Sequence, residues 1–164
     1  MKFLCDTDLL SVFAKVESLD LIRKAFPKGD FVISESVYDE LSVSTEEGFD
    51  FPKRIFVNVE IVGLNQSEES LYRKRREKSK YLTISKADLK TLIMASERNL
   101  PILSNDGKLL ELADQENVPA LDIYDVFKIL FRKGKLPEKE IRDILSNMEK
   151  KDNAFFKDKG IIFE

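Results

Sequence analysis

Short apolar runs that end directly in acidic residues are the feature that most constrains the fold of this chain. The first run, residues 2–5, is followed at once by Asp6, and a later run, residues 101–104, is followed closely by Asp106. Such runs are typical of buried strands, and they alternate along the chain with segments of helical periodicity. This alternation indicates a parallel α/β sheet. Because ligands bind outside the carboxyl ends of strands in such sheets, we expect Asp6 and Asp106 at the mouth of one crevice.

The remaining segments predict a three-layer α/β/α architecture with a parallel central sheet and a C-terminal helical hairpin. Helix starts are indicated at Thr7 or Asp8, at Ser34, at Asn65 with Glu68 as a capping box, and at Ser85. Residues 44–52 are predicted to be a loop, and further strands are predicted at residues 31–33, 55–64 and 120–121. Residues 1–131 are expected to form one domain. Residues 132–164 are expected to form a helical extension with an apolar tail, packed on the domain or on a partner.

The composition excludes several kinds of catalytic chemistry. The chain has no histidine and one cysteine, which removes Ser-His-Asp catalysis, imidazole bases, intrachain disulfides and structural zinc sites. Oxygen donors remain, and these suit Mg²⁺ and Mn²⁺. The net charge of −3 is not that of a general nucleic-acid binder, although acids gathered around metal ions would lower it. No run approaches the ~20 apolar residues of a membrane span, and no signal peptide is recognisable, so we expect a cytoplasmic protein without a membrane partner.

Two further acids are placed where they can join Asp6 and Asp106. Asp88 lies in the first turn of the helix that Ser85 begins, where the helix dipole favours a negative charge. Glu40 projects from the helix after the second predicted strand. Four converging acids would repel each other strongly. Divalent cations relieve that repulsion, and they lower the pKa of bound water, so a histidine base is not required.

Each acid also has an ordinary structural explanation. Asp88 can serve only as the partner of Ser85 in a helix cap, Asp106 can form a turn before Gly107, and Glu40 can be an exposed helix residue. An acid directly after a buried strand is harder to explain without a role, which favours Asp6. The occurrence of the four together supports a shared site, whereas Asp8 is interpreted mainly as structural.

The first two acids stand in segments that resemble motifs of the PIN domain family. Residues 3–10 resemble the opening motif of this family, a strand followed by Asp-Thr and a small helix. Residues 32–41 resemble the second motif, with its acid at Glu40. By this resemblance Thr7 is given a supporting role beside Asp6.

The other two acids complete the ordered set. Residues 87–95 are similar to the third motif, in which an Asp precedes an alanine-rich buried helix, and residues 102–109 resemble the fourth, with a Ser two residues before an Asp. The resemblance covers about residues 2–131 and gives Ser104 and Asn105 supporting roles. No single motif is specific to the family, but the occurrence of all four in this order is fairly specific.

The resemblance implies a parallel sheet between helices and cleavage of RNA that depends on Mg²⁺ or Mn²⁺. In that case Asp6, Glu40, Asp88 and Asp106 would be both the metal ligands and the catalytic residues. The family includes VapC-type toxins of toxin–antitoxin pairs and stand-alone prokaryotic proteins, and its members often dimerise. The expected partners are therefore an RNA substrate, an antitoxin protein and a second copy of the chain, with the apolar tail as a contact.

One basic cluster offers contacts for a nucleic acid. It precedes the helix of Asp88, and Lys108 adds a further positive charge directly after Asp106. Alternatively, the cluster is a solvated helix face neutralised by nearby glutamates. The cluster consists of Arg73, Lys74, Arg75 and Arg76, and Lys78 and Lys80 follow it.

Two other functions compete with the ribonuclease. The first is a catalytically silent PIN-like module that binds protein or RNA. The second is a phosphatase of the haloacid-dehalogenase type with Asp6 as nucleophile and Asp8 as acid, although Leu10 departs from that motif and Glu40 has no role in it.

Overall fold

The computed structural model describes residues 1–164 and contains five strands and nine helices. The strands are β1 (Lys2–Cys5), β2 (Asp30–Ser34), β3 (Glu60–Val62), β4 (Ile102–Leu103) and β5 (Ala120–Leu121). The helices are α1 (Thr7–Lys15), α2 (Asp20–Ala25), α3 (Glu35–Glu46), α4 (Phe51–Phe56), α5 (Gln66–Arg75), α6 (Lys86–Arg98), α7 (Gly107–Gln115), α8 (Ile123–Arg132) and α9 (Glu138–Asp152). Short 3-10 turns follow α5 at Ser79–Tyr81 and close the chain at Lys159–Phe163.

The five strands form one sheet in the order β3-β2-β1-β4-β5, and every pairing is parallel. The first strand lies at the centre of the sheet, between β2 and β4. The carboxyl ends of these two strands therefore flank the carboxyl end of β1. The backbone N–H of Asp6 donates to the carbonyl of Leu103 at 3.0 Å, which joins the ends of β1 and β4. The predicted α/β architecture with a parallel sheet is confirmed, and it places Asp6 in the middle of the carboxyl edge.

Alternate residues of the strands pack against helices on opposite faces of the sheet. Cys5 and Leu103 join a core formed mainly with α1, α2, α8 and α9. Leu4 and Ile102 join a second core formed mainly with α5, α6 and α7. Because helices cover both faces of the sheet, the residues of the central strands β1 and β4 are apolar on both sides from Phe3 onward, as is usual for buried parallel strands.

The helix caps follow the short-range signals of the sequence. The side chains of Ser34 and Ser85 accept the backbone N–H groups of Val37 and Asp88, and Asn65 and Glu68 form the predicted capping box. The start of α1 differs from the prediction, because Asp6 caps this helix rather than Thr7 or Asp8.

The predicted loop at residues 44–52 and strand at residues 55–64 are largely wrong. α3 continues to Glu46, and residues 51–56 form α4, with only residues 60–62 in a strand. Pro52 in the first turn suits a helix start, and Ile55 is completely buried from α4. The apolar residues of this short helix and of the short strand after it together produced the alternating pattern of a single strand.

The C-terminal residues pack on the body of the protein. α9 contacts α1, and the final 3-10 turn contacts α8. Leu145 and Met148 of α9, with Phe156 and Ile162 beyond it, belong to the same buried core as the sheet residue Cys5. In contrast, Phe155 is 77% exposed. None of the helices combines the length and apolar character needed to cross a membrane.

Candidate active site

Asp6 is the buried centre of the carboxyl edge, with 2% of its surface exposed. Its Oδ1 accepts the backbone N–H of Leu9 at 2.9 Å, and its Oδ2 accepts the hydroxyl of Ser104. Burial raises the pKa of Asp6 to about 7, an effect that the hydrogen bonds from Ser104 and Leu9 oppose and that Asp8 and Asp88 increase. A carboxylate that is both fixed in place and costly to ionise therefore stands where β1 ends.

Ser104 connects Asp6 to Asp106. Its hydroxyl is fully buried, and while it donates to Asp6 it accepts the backbone N–H of Asp106 at 3.0 Å. The Oδ1 of Asp106 in turn caps α7 by accepting the N–H groups of Lys108 and Leu109 at 2.9 and 3.0 Å. Asp106 is thus a helix cap rather than the turn former before Gly107, and it also lies within electrostatic reach of Asp88 and Asp8.

Asp88 faces the same region from the first turn of α6. It is half-buried, and its backbone N–H donates to Ser85 Oγ at 3.0 Å. Burial, followed by repulsion from Asp106, raises the pKa of Asp88 to about 6; Glu40 and Asp8 add to the rise, and a hydrogen bond with Ser85 opposes it. Asp106 and Glu40 therefore both lie within electrostatic reach of Asp88.

Glu40 approaches the edge from α3 and is exposed. The hydroxyl of Thr7 donates to Glu40 Oε2 at 2.6 Å. This hydrogen bond joins the first turn of α1 to α3 and holds the Glu40 carboxylate next to the Asp6 segment.

Asp8, interpreted from the sequence mainly as structural, lies within electrostatic reach of this group. Partial desolvation, followed by repulsion from Asp106 and Asp152, raises the pKa of Asp8, and Lys15 opposes the rise. The position of Asp8, two residues after Asp6 in the first turn of α1, is a signal that the sequence offered. Asp152 arrives from the end of α9, where it pairs with Lys15, and no local pattern predicts that approach.

None of the gathered acids is paired directly with a cationic side chain, although Lys15, which pairs with Asp152, opposes the rise in the pKa of Asp8. No lysine or arginine forms an ion pair with Asp6, Asp8, Glu40, Asp88 or Asp106. The structure also contains no group of three or more acidic or cysteine side chains already arranged to hold a metal ion. The donor chemistry fits Mg²⁺ or Mn²⁺, because every available donor is an oxygen. The ligand set is not pre-assembled, and side-chain rotation would be needed to complete it.

The basic cluster lies at the end of α5, which packs on α6. Three of its four side chains are exposed, whereas Arg75 is half-buried and its Nη1 has no hydrogen-bond partner. Lys108 and Asn105 are both exposed on either side of Asp106. The exposed members of the cluster are Arg73, Lys74 and Arg76.

Comparisons with known proteins agree with this architecture. A family model described as DUF3368: PIN domain matches residues 2–161. The chain therefore belongs to the PIN domain family, whose members are generally nucleases. No curated protein matches the sequence significantly.

Three solved structures share the fold. VapBC-1 from nontypeable Haemophilus influenzae has a TM-score of 0.58 at 17% identity, covering 74% of this chain and 98% of that one. VapBC2 from Rickettsia felis, bound to a DNA fragment from their promoter, has a TM-score of 0.55 at 18% identity over the same shares. The PilT N-terminus domain protein SSO1118 from Sulfolobus solfataricus P2 has a TM-score of 0.54 at 15% identity, covering 77% and 90%. At these identities the likeness establishes the fold.

Proposed function

We propose that this chain is a cytoplasmic endoribonuclease that hydrolyses RNA phosphodiester bonds with Mg²⁺ or Mn²⁺ at the carboxyl edge of its sheet. The observation that carries the proposal is the buried Asp6, which pairs with no cation and is repelled by Asp88, an acid that Asp106 and Glu40 repel in turn. Repelling acids fixed at the ligand-binding edge of a parallel sheet are explained by a cationic occupant.

The protein groups each have a definable part in this chemistry. Asp6, Glu40, Asp88 and Asp106 would hold the divalent ion, which supplies positive charge for the phosphate oxygens and activates water when it is bound. Ser104 fixes the direction of one Asp6 oxygen, and Thr7 fixes that of Glu40. The nearby lysine and arginine side chains would contact the RNA backbone; they are Arg73, Lys74, Arg75, Arg76 and Lys108.

The absence of histidine shapes the expected reaction. With carboxylates as the acidic groups, we expect water rather than the RNA 2′-hydroxyl to attack phosphorus. The new bond joins the water oxygen to phosphorus, the bond to the 3′-oxygen breaks, and a proton passes to that oxygen. The products then carry a 5′-phosphate and a free 3′-hydroxyl.

The test is end-group analysis of a generic RNA cut in Mn²⁺ or Mg²⁺. We expect cleavage to be lost in EDTA and in Asp6→Asn, and to be retained in Asp114→Asn, which changes an exposed acid of α7 outside the site. A 2′-deoxy substitution at the scissile nucleotide should slow cleavage without abolishing it. Cyclic 2′,3′-phosphate ends, or full activity in EDTA, would contradict the mechanism. RNA binding without cleavage would favour the catalytically silent module, whereas membership of the PIN family leaves the phosphatase without support.

We also propose an antitoxin partner and a homodimer. The antitoxin is supported by the resemblance to VapC-type toxins and by the two fold neighbours named VapBC. Co-purification with the product of a small adjacent gene, and inhibition of cleavage by it, would test the first. The molar mass in solution tests the second; a mass of about one chain at micromolar concentration would contradict it.

A further inference from the structure

A pocket of about 370 Å³ opens between the end of α5, the 3-10 turn after it and the start of α6. This volume lies within the range of small-molecule sites, roughly 300–1,000 Å³. We call it the α5–α6 pocket. Its principal lining residues are Tyr72, Arg76, Tyr81, Leu82, Lys86 and Leu89.

The α5–α6 pocket adjoins the acidic edge through the first turn of α6. Ser85 lines the pocket, and its hydroxyl accepts the backbone N–H of Asp88. Three residues of helix rise separate the two positions, about 5 Å along the axis. The pocket therefore lies within about one helical turn of Asp88.

The lining combines apolar surface with positive charge. Tyr72 and Tyr81 are each only 7% exposed and form the buried part of the lining, whereas Leu82 is 66% exposed. Arg76 and Lys86 are exposed cations of the lining, and Glu77 is its one acid. Apolar and aromatic surface can pack against the face of a nucleobase, and the two cations can contact the phosphate of the same nucleotide.

Contacts from other elements hold this buried part of the lining in place. The hydroxyl of Tyr81 donates to Glu116 at the C-terminal end of α7, and Glu116 also pairs with Lys80 at 3.2 Å. The ammonium of Lys90 lies 4.9 Å from the Tyr72 ring centre and donates to Ser36 of α3 at 3.0 Å. The pocket is thus braced from α7 and α3, so little ordering is needed when it is filled.

We propose that the α5–α6 pocket holds one nucleobase of the RNA, next to the phosphate that faces Asp88, with Arg76 and Lys86 contacting the adjoining backbone. This proposal rests on the proposed function, because it names the part of the substrate that this wall of the site receives. It makes Leu82 and Lys86 residues of substrate binding and assigns them no part in the chemical step.

The test uses short RNAs that carry 2-aminopurine, whose fluorescence changes when the base is enclosed. The chain has no tryptophan, so protein emission interferes little. Leu82→Ser and Lys86→Ser are compared with Val57→Ser and Lys139→Ser, which change an 83% exposed valine beyond α4 and an exposed lysine of α9. Binding is measured in an Asp6→Asn background with Mn²⁺, so that the RNA stays intact.

We expect each pocket variant to weaken RNA binding roughly tenfold and to reduce the fluorescence change, because one base loses its apolar contacts or its phosphate loses a cation. The control variants should bind like the parent. In cleavage assays with Asp6 restored, the pocket variants should raise KM with little effect on kcat. They should also keep the parent's metal-induced rise in melting temperature.

The outcomes separate the two proposals. If the parent cleaves RNA and both pocket variants match it in affinity, fluorescence and KM, the pocket assignment is overturned while the nuclease stands. If RNA is bound and the fluorescence change depends on Leu82 and Lys86, yet no cleavage occurs with either metal, the pocket stands and the nuclease falls. If the parent binds no RNA, the pocket is not a nucleotide site. The same conclusion follows if neither pocket variant alters the 2-aminopurine fluorescence.

Discussion

Replacing Asp6 by Asn should stabilise the metal-free protein, and increasingly so as the pH rises. The pKa of Asp6 is raised from its ordinary 3.8 to about 7 in the folded protein, chiefly by burial. A folded-state pKa above the unfolded value means that the folded state binds the proton more tightly. The stability that Asp6 contributes is therefore fully present below about pH 4, and it is lost as the pH rises through 7.

The magnitude follows from the size of the shift. Asp6 is almost completely buried, and its pKa is raised by about three units. Its ionisation therefore lowers the free energy of unfolding by about 4 kcal/mol at pH 8 and by about 2 kcal/mol at pH 5. Asn keeps an oxygen that can cap α1 at Leu9. The NH2 group of Asn cannot accept the Ser104 hydroxyl, and this loss lowers the stability of the variant by an amount that does not depend on pH.

The assay is thermal and urea unfolding of the parent and of Asp6→Asn in EDTA at pH 5 and pH 8. The advantage of the variant should grow between these pH values by roughly 5–10 °C in melting temperature. The matched variant Asp114→Asn should show no such growth, since that carboxylate is exposed. Equal differences at both pH values would refute the assignment of Asp6 as a buried, costly charge.

Three further results are expected. Mn²⁺ or Mg²⁺ should raise the melting temperature of the parent, and a double variant, Asp6→Asn with Asp106→Asn, should lose that response; an unchanged response would place the metal elsewhere. Leu145→Ala should lower the free energy of unfolding by about 2–5 kcal/mol, because this residue is completely buried in the main core; a change near zero would mean that α9 is only loosely attached. Removing three charges of the basic cluster should flatten the salt dependence of RNA binding without altering the response to metal, and an unchanged slope would return the cluster to a solvated helix face; the changes are Arg73→Ser, Arg75→Ser and Arg76→Ser.

Much of the local structure was predictable because it depends on neighbours within three or four residues. The caps at Ser34 and Ser85 and the box of Asn65 with Glu68 are confirmed, since each is one side chain bonding to a backbone N–H in the next turn. The error over residues 55–64 arose because the burial of Ile55 depends on packing, and its neighbours alternate by coincidence.

The sequence by itself determined the α/β class, the parallel direction of the strands and the placement of Asp6 and Asp106 after strands. These features depend on hydrophobic periodicity and on residues at strand ends, which are local in the sequence. Only the tertiary structure decided which groups share the carboxyl edge with them. The approach of Asp152 to Asp8 depends on how α9 packs against α1, and the α5–α6 pocket depends on how Tyr81 is held against α7. These contacts join residues more than thirty positions apart in sequence. No local pattern of hydrophobic and polar residues can predict a contact over such a separation. They are fixed by burial of apolar helix faces, which only the assembled core defines.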